Sequence, residues 1–71
     1  MAKESMEILV NGSKRRIPPG TPLSALIDEL KLPWRFVAVE RNRELVPRSQ
    51  HSGCILQPGD ELEIVTLVGG G

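Results

Sequence analysis

One stretch of this chain repeats its apolar residues with helical spacing and is bounded by prolines. In PPGTPLSALIDELKLP the apolar positions 23, 26, 27 and 30 follow the i, i+3, i+4, i+7 rule. This spacing predicts a helix over about residues 22–30, with Thr21 as N-cap, Pro22 at its first position and Pro33 preventing its continuation. A helix with a single apolar stripe must bury that stripe against a second layer of structure.

The segment before the helix has the pattern of a β-hairpin. MEILV alternates apolar and polar residues, and the Asn11-Gly12 pair that follows favours a two-residue type I′ turn. A turn of this length places residue 6 opposite 17, and Glu7 opposite Arg16. The same register turns Arg15 toward the core side, which predicts a bulge or an edge position there.

Three further short strands are predicted after the helix. FVAVER is nearly continuous in apolar residues and suits a central strand, while ELVP is a short strand closed by Pro47. The turn between them, Asn42-Arg43, is a weaker signal because Arg43 must adopt positive φ. RSQHSGCILQ is predicted as a surface crossover with one helical turn, pinned by Leu56, and ELEIVTLV as the last strand.

These elements predict one α+β domain with the order β-β-α-β-β-β, a mixed sheet crossed by one main helix. The 71 residues divide into an N-terminal extension over 1–5, the folded domain over 6–68 and a glycine tail over 69–71. Aliphatic residues are expected to fill the core, because the only aromatic residues are Trp34 and Phe36.

Composition excludes several classes of function. Nine basic and nine acidic residues give a net charge of zero, which argues against binding nucleic acid through its phosphates. A single cysteine excludes an internal disulfide and, with one histidine, a cysteine-based metal site. No apolar run is long enough for a membrane helix and MAKES lacks the apolar segment of a signal peptide, so a cytoplasmic protein is expected.

Candidate reactive side chains have simpler interpretations. Cys54 lacks a recognisable activating neighbour and is predicted to be a small, half-buried residue. His51 is predicted to be a solvated loop residue. The basic run at 14–16 is predicted to be the polar side of the hairpin, and Arg48 to be a solvated loop residue or a partner contact. No catalytic site and no metal site are predicted, so we expect a protein that is not an enzyme.

An apolar patch is predicted where the sequence ends. Leu62 and Ile64 face inward by parity, so Val65 and Leu67 lie on the opposite face of the last strand. Exposed apolar patches often mark interfaces. We therefore predict a partner interface at Val65, Leu67 and Val68.

The sequence ends in TLVGGG, which suits a reactive C-terminus. Three glycines extend roughly 10 Å, have no side chains and adopt backbone angles that other residues do not. Such a segment can pass through a narrow channel and deliver the carboxylate of Gly71 into a closed pocket. We therefore predict Gly71 as the site of covalent chemistry, with Gly69 and Gly70 supplying the reach.

The order of elements and this end resemble the ubiquitin-like β-grasp sulfur carriers, specifically the ThiS family of thiamine biosynthesis. The resemblance covers nearly the whole sequence from Met6 and is carried by ILVNG, LSALIDEL, VAVERNRELVPRS, PGDELEIV and VGGG. The sequence departs from the family at Arg43, where a glycine is common, and at His51, where a tryptophan is expected. Neither departure affects the chemistry of the tail.

The resemblance implies a carrier that binds no cofactor itself. An E1-like, ThiF-type enzyme would use ATP and magnesium to adenylate Gly71, and a cysteine desulfurase would supply sulfur to form a thiocarboxylate. A ThiG-type thiazole synthase would then take that sulfur for the thiazole ring of thiamine. Three alternatives stay open: a sulfur carrier for molybdopterin synthesis, a non-covalent β-grasp binding module, and a modifier conjugated to lysines.

Overall fold

The structure, a computed structural model, describes residues 4–67. Within these residues, five strands and one α-helix follow the predicted order and form an α+β domain. The strands are β1 (Met6–Val10), β2 (Ser13–Ile17), β3 (Val37–Arg41), β4 (Glu44–Val46) and β5 (Glu61–Thr66), and the helix is α1 (Leu23–Glu29). Two 3-10 turns, Trp34–Phe36 and Arg48–Gln50, complete the connections; the second is the single helical turn predicted in the crossover.

The last strand lies in the middle of the sheet, whose strand order is β2-β1-β5-β3-β4. β5 runs parallel to β1 on one side and antiparallel to β3 on the other, so the sheet is mixed as predicted. Within the sheet, the two hairpins, β1–β2 and β3–β4, are therefore joined through β5. Any residue that fixes β5 also fixes the relation between the two halves of the sheet.

The first hairpin has the predicted register and turn. Met6 pairs with Ile17 and Glu7 with Arg16. Asn11 and Gly12 connect the strands with φ values of 52° and 85°, the positive values that a type I′ turn requires.

Arg15 lies on the edge strand β2, as its inward parity predicted. The residue is half-buried on the helix side of the sheet, and its guanidinium lies 3.7 Å from the carboxylate of Glu29 at the end of α1. An inward-pointing charge on an edge strand disfavours pairing with another polypeptide. The helix thus provides a local partner for a basic residue that the alternation alone places toward the core.

The predicted start of the helix is wrong by one residue and in its capping. α1 begins at Leu23, and Pro22 is its N-cap, extended at φ −78° and ψ 156° and making no side-chain hydrogen bond. The Thr21 hydroxyl instead donates to the Pro18 carbonyl at 2.6 Å. The first helical N–H groups of Leu23 and Ser24 donate to carbonyls of the crossover at 2.8 and 3.1 Å, so a distant segment caps the helix.

The predicted apolar stripe of the helix is confirmed. Leu23, Leu26 and Ile27 are at most 1% exposed, and they pack on the inward-facing residues of the sheet. Leu30 packs at the margin of the same cluster, and Leu56 pins the crossover to it as predicted. The buried cluster is aliphatic apart from one methionine: Met6, Ile8, Ile17, Leu23, Leu26, Ile27, Val37, Val39, Leu56, Leu62 and Ile64.

The prediction of a solvated His51 is wrong. This residue is 5% exposed, its Nε2 lies 3.1 Å from the Val46 carbonyl oxygen, and its own carbonyl accepts the Ser24 N–H. The segment has no hydrophobic period, so its contact with the start of α1 leaves no pattern in the sequence. His51 is therefore a structural residue that joins the crossover to both β4 and the helix.

Asp60 is a second buried polar residue, and it ties the turn before β5 to the second hairpin. Its carboxylate accepts hydrogen bonds from Arg41 Nε at 2.8 Å, Asn42 Nδ2 at 3.1 Å and the Gln57 N–H at 2.8 Å. Burial opposes its ionisation, but the bonds from Gln57, Asn42 and Arg41 outweigh burial and hold the pKa of Asp60 below its usual value.

Candidate functional site

On the sheet face opposite the helix, exposed apolar side chains lie around the C-terminal end of β5. Val65 and Leu67 are 54% and 56% exposed, and they point away from the helix as the alternation predicted. Ala38 lies opposite Val65 in the β3–β5 pairing. The patch therefore extends from β5 onto β3 instead of following a single strand.

Two further exposed residues enlarge this patch, and the sequence pattern did not assign them to it. Phe36 is 55% exposed, and its carbonyl accepts the Leu67 N–H, which places it beside the exit from β5. Leu45 on β4 is 67% exposed and pairs with Glu40 on the same face. The parity of Phe36, Ala38 and Glu40 along FVAVER was the available signal. We call the five residues the apolar patch: Phe36, Ala38, Leu45, Val65 and Leu67.

Acidic side chains border the apolar patch on the same face. Glu40 on β3 lies directly opposite Glu63 on β5, and Glu61 follows one exposed position further along β5. Like charges opposite one another across a strand pair destabilise a sheet. The two ion pairs of residues 4–67 involve Glu29 and Asp60, so neither relieves this acidic pair.

Two arginines lie near the exposed Trp34, on the side of the sheet that the helix covers. Arg35 stacks over the indole ring with its guanidinium carbon 5.2 Å from the ring centre, and Arg48 Nη1 donates to the Arg35 carbonyl. Trp34 is 52% exposed and borders a depression of about 330 Å³ that His51 and Asp28 also line. Arg48 is exposed, as predicted for a solvated residue, although it lies in a 3-10 turn and also contacts a backbone carbonyl. The alternative prediction of a partner contact stays a prediction.

Cys54 is half-buried, as predicted, and lies with Arg41 in the wall of a depression between the crossover and β4. Among residues 4–67, no group of three or more His, Cys, Asp or Glu residues is arranged to hold a metal ion. In the basic run, Lys14 and Arg16 are exposed and Arg16 Nε donates to the Ser5 hydroxyl at 3.0 Å. Leu45 of the apolar patch lines the same depression as Cys54.

The predicted tail residues Gly69, Gly70 and Gly71 lie outside the described residues, and so does Val68. The described range ends at Leu67, one residue after β5 and inside the apolar patch. The described polypeptide therefore ends beside the central strand of the sheet, next to exposed apolar side chains. In the described part of the protein, no helix is long and apolar enough to cross a membrane.

A five-stranded mixed sheet of this order with one helix across it defines the ubiquitin-like β-grasp class. The protein belongs to the ThiS family, whose model matches residues 7–71. The crystal structure of the thiamine biosynthesis protein ThiS from Geobacter metallireducens matches 93% of this sequence and all of that protein, with a TM-score of 0.79 and 28% identity.

Two curated relatives differ in length from each other. The sulfur carrier protein ThiS of Escherichia coli K12 is 29% identical over 66 residues, which are 93% of this sequence and all of that protein. The thiazole synthase of Paramagnetospirillum magneticum is 42% identical over 66 residues, again 93% of this sequence but 20% of that protein. The 71 residues thus span about a fifth of the length of the thiazole synthases that they match.

Proposed function

We propose that this protein is the sulfur carrier of thiamine biosynthesis and that its C-terminal carboxylate holds the sulfur. The observation that carries the proposal is the position of β5, which ends among exposed apolar residues and leads into the sequence VGGG. Membership of the ThiS family supports it independently. The carrier is a co-substrate in this chemistry and not an enzyme.

The proposed reaction takes place at Gly71. Its carboxylate oxygen attacks the α-phosphorus of ATP, pyrophosphate leaves, and an acyl adenylate forms. The sulfur of a persulfide, derived from a cysteine desulfurase, then attacks the acyl carbon and displaces AMP; reductive cleavage of the sulfur–sulfur bond by a thiol leaves the thiocarboxylate. ATP and Mg²⁺ belong to the E1-like activating enzyme in this scheme, and the carrier contributes the carboxylate and the reach of Gly69 and Gly70.

The apolar patch is the proposed docking surface for the activating enzyme. Phe36, Val65 and Leu67 are each more than half exposed at the exit of the tail, so a partner that takes up the tail also covers them. The Glu40–Glu63 pair suits cationic side chains at the rim of that partner, because such a contact relieves the repulsion between the two carboxylates. Val68 extends the proposed interface beyond the described residues.

A ThiG-type thiazole synthase is the proposed acceptor of the sulfur. The Paramagnetospirillum thiazole synthase contains a segment 42% identical to this protein, so the carrier sequence and the synthase share one polypeptide there. A shared polypeptide raises the effective concentration of one partner at the other. This relation favours thiazole formation over molybdopterin synthesis as the destination of the sulfur.

ATP–pyrophosphate exchange by the cognate activating enzyme tests the proposed site. Deleting Gly71 or adding one residue after it should abolish exchange, because either change shifts the carboxylate by about 3.3–3.6 Å. Replacing Gly70 by leucine should also abolish exchange, because it keeps the length but places a branched side chain in the narrow channel. Cys54→Ser is the matched control and should exchange normally. If Cys54→Ser were inactive while the tail variants exchanged normally, the proposal would be contradicted and the Cys54 thiol would become the candidate reactive group.

The intact mass of the protein isolated from its own cells separates the carrier from a binding module. The carrier should include a species in which sulfur replaces one terminal oxygen. A module that binds without covalent chemistry lacks that species, and a modifier is instead found joined to lysines of larger proteins.

A further inference from the structure

Two asparagines in the two hairpin turns hold the central strand through their side chains. Asn11 Oδ1 accepts the Ile64 N–H at 2.8 Å, and Asn11 Nδ2 donates to the Ile64 carbonyl at 3.0 Å. Asn42 Oδ1 accepts the Glu61 N–H at 3.0 Å, and Asn42 Nδ2 donates to Asp60 at 3.1 Å. Both residues have a φ of 52° and occupy the first position of a two-residue turn.

We propose that Asn11 is a site of spontaneous deamidation which the folded sheet protects. In this reaction the backbone nitrogen of Gly12 attacks Asn11 Cγ, and the bond between Cγ and Nδ2 breaks. The amide nitrogen leaves as ammonia with the proton of the attacking N–H, and a five-membered succinimide forms. Water then opens either carbonyl of the ring to give aspartate or isoaspartate, with no change of oxidation state.

Gly12 makes Asn11 the reactive member of the pair. Glycine places no side chain beside the attacking nitrogen, whereas Arg43 after Asn42 crowds the same approach. A Cβ at Gly12 would meet no atom within 4 Å, so the φ of 85° and not a lack of space favours glycine there. The residue that the turn favours for its backbone angle is therefore also the one that leaves Asn11 open to attack.

The hydrogen bonds to Ile64 supply the protection. Both polar atoms of the Asn11 amide are bound to the backbone of β5, so Cγ cannot meet the Gly12 nitrogen until both bonds are released. Two hydrogen bonds of ordinary net strength make that release unfavourable by a factor of roughly five to a hundred. Deamidation thus reports how often the Asn11 side chain is released from Ile64.

The product cannot restore the original contact. Aspartate has no Nδ2–H, so the Ile64 carbonyl loses its donor and faces a carboxylate oxygen. Isoaspartate also inserts a methylene group into the backbone of the turn and lengthens it. Because backbone pairing between β1 and β5 is confined to Leu9–Glu61 and Val10–Leu62, loss of the side-chain hydrogen bond weakens a short contact.

The test follows the mass of the full-length protein at neutral pH, folded and in denaturant, with peptide mapping of every asparagine and glutamine. Unfolded protein should gain about one dalton at Asn11, and folded protein should do so at least about fivefold more slowly. Asn42 is the internal control and should stay unmodified in both states. In Arg43→Gly, Asn42 should become reactive when unfolded, since the side chain after it is then removed.

Three results would overturn the proposal: equal rates at Asn11 in the folded and unfolded protein, no reaction at Asn11 in either state, or comparable reaction at Asn42 in the wild-type protein. The variant Asn11→Asp has the same sequence as the aspartate product of deamidation, so the stability of that product can be measured directly. Its unfolding midpoint in denaturant should lie below that of the wild-type protein, and an unchanged midpoint would contradict the role assigned to the Ile64 contact.

Discussion

The two faces of the sheet contain similar apolar residues, which are buried on one face and exposed to solvent on the other. On the covered face Ile8, Val39 and Leu62 are at most 1% exposed beneath the helix, whereas on the open face Phe36 and Leu45 are more than half exposed. Burial explains the first group as core residues. The second group is exposed and so contributes little to the stability of the fold. It also adjoins Glu40 and Glu63, whose mutual repulsion destabilises the sheet. The proposed docking partner would account for the open face, and substitutions on the two faces should have separable effects.

The largest effect is expected at the covered face. Leu26→Ala should lower the free energy of unfolding by about 2–5 kcal/mol, because it leaves a cavity under a fully buried side chain. A denaturant titration measures the change, and Leu45→Ala on the open face is the matched control with a much smaller loss. Equal losses in the two variants would remove the distinction between the faces.

Asp60, in the turn before β5, should make the stability of the domain sensitive to acid, because its carboxylate accepts hydrogen bonds from Arg41, Asn42 and Gln57. Its folded pKa is lowered, so its stabilisation is fully present above the unfolded pKa of about 3.9 and is lost as the pH falls through the folded pKa. Asp60→Asn should cost about 1.5–3 kcal/mol at neutral pH, since charged hydrogen bonds are lost. Unfolding titrations across the acid range should also show a flatter pH dependence in the variant. An equally steep decline in both proteins would assign the acid sensitivity to other carboxyl groups.

A charge within the apolar patch should affect binding and leave the fold intact. Leu67→Asp should weaken binding to the activating enzyme at least about tenfold, because a carboxylate is buried without a partner on docking. Its unfolding free energy should stay within about 0.5 kcal/mol of the wild-type value. Isothermal titration and circular dichroism give the two quantities. Undiminished affinity in a folded variant removes Leu67 from the interface.

The smallest effect should have the opposite sign in folding and in binding. Glu63→Gln removes the repulsion with Glu40 and should raise the free energy of unfolding by about 0.2–1 kcal/mol. The same change should weaken docking and reduce its salt dependence, because one charge no longer faces the partner. Glu7→Gln, opposite Arg16 in the β1–β2 hairpin of the same face, is the control and should not alter docking.

Regular periodicity accounts for what the sequence predicted correctly. The 23/26/27/30 spacing predicted the buried stripe, and the Asn-Gly pair predicted both the turn and the pairing of Met6 with Ile17. Strand parity also predicted the exposure of Val65 and Leu67 in the candidate site. Each of these features depends on neighbouring residues alone.

Long-range contacts account for what it missed. The N-terminus of α1 is capped by carbonyls of Cys54 and His51, about thirty residues away, so local capping rules pointed to Thr21 instead. His51 is buried by the same contact. The sequence placed Phe36 in the strand FVAVER but did not predict which face of the sheet it occupies. The hydrogen bond from the Leu67 N–H to its carbonyl places it beside Leu67. The role proposed for the glycines at 69–71 follows from their chemistry and from the family resemblance.

The parallel arrangement of β1 and β5 has a mechanical consequence. A force that draws the C-terminal end of β5 away from the start of β1 slides the two strands along each other instead of peeling them apart. Hydrogen bonds from Leu9 to Asp60, from Asn11 to Leu62 and between Asn11 and Ile64 then bear the load together. Pulling a single molecule between residue 6 and the tail should require more force than opening the β3–β4 hairpin, whose bonds break one after another. The strand that leads to the glycine tail is thus anchored in the direction in which a force on that tail would act.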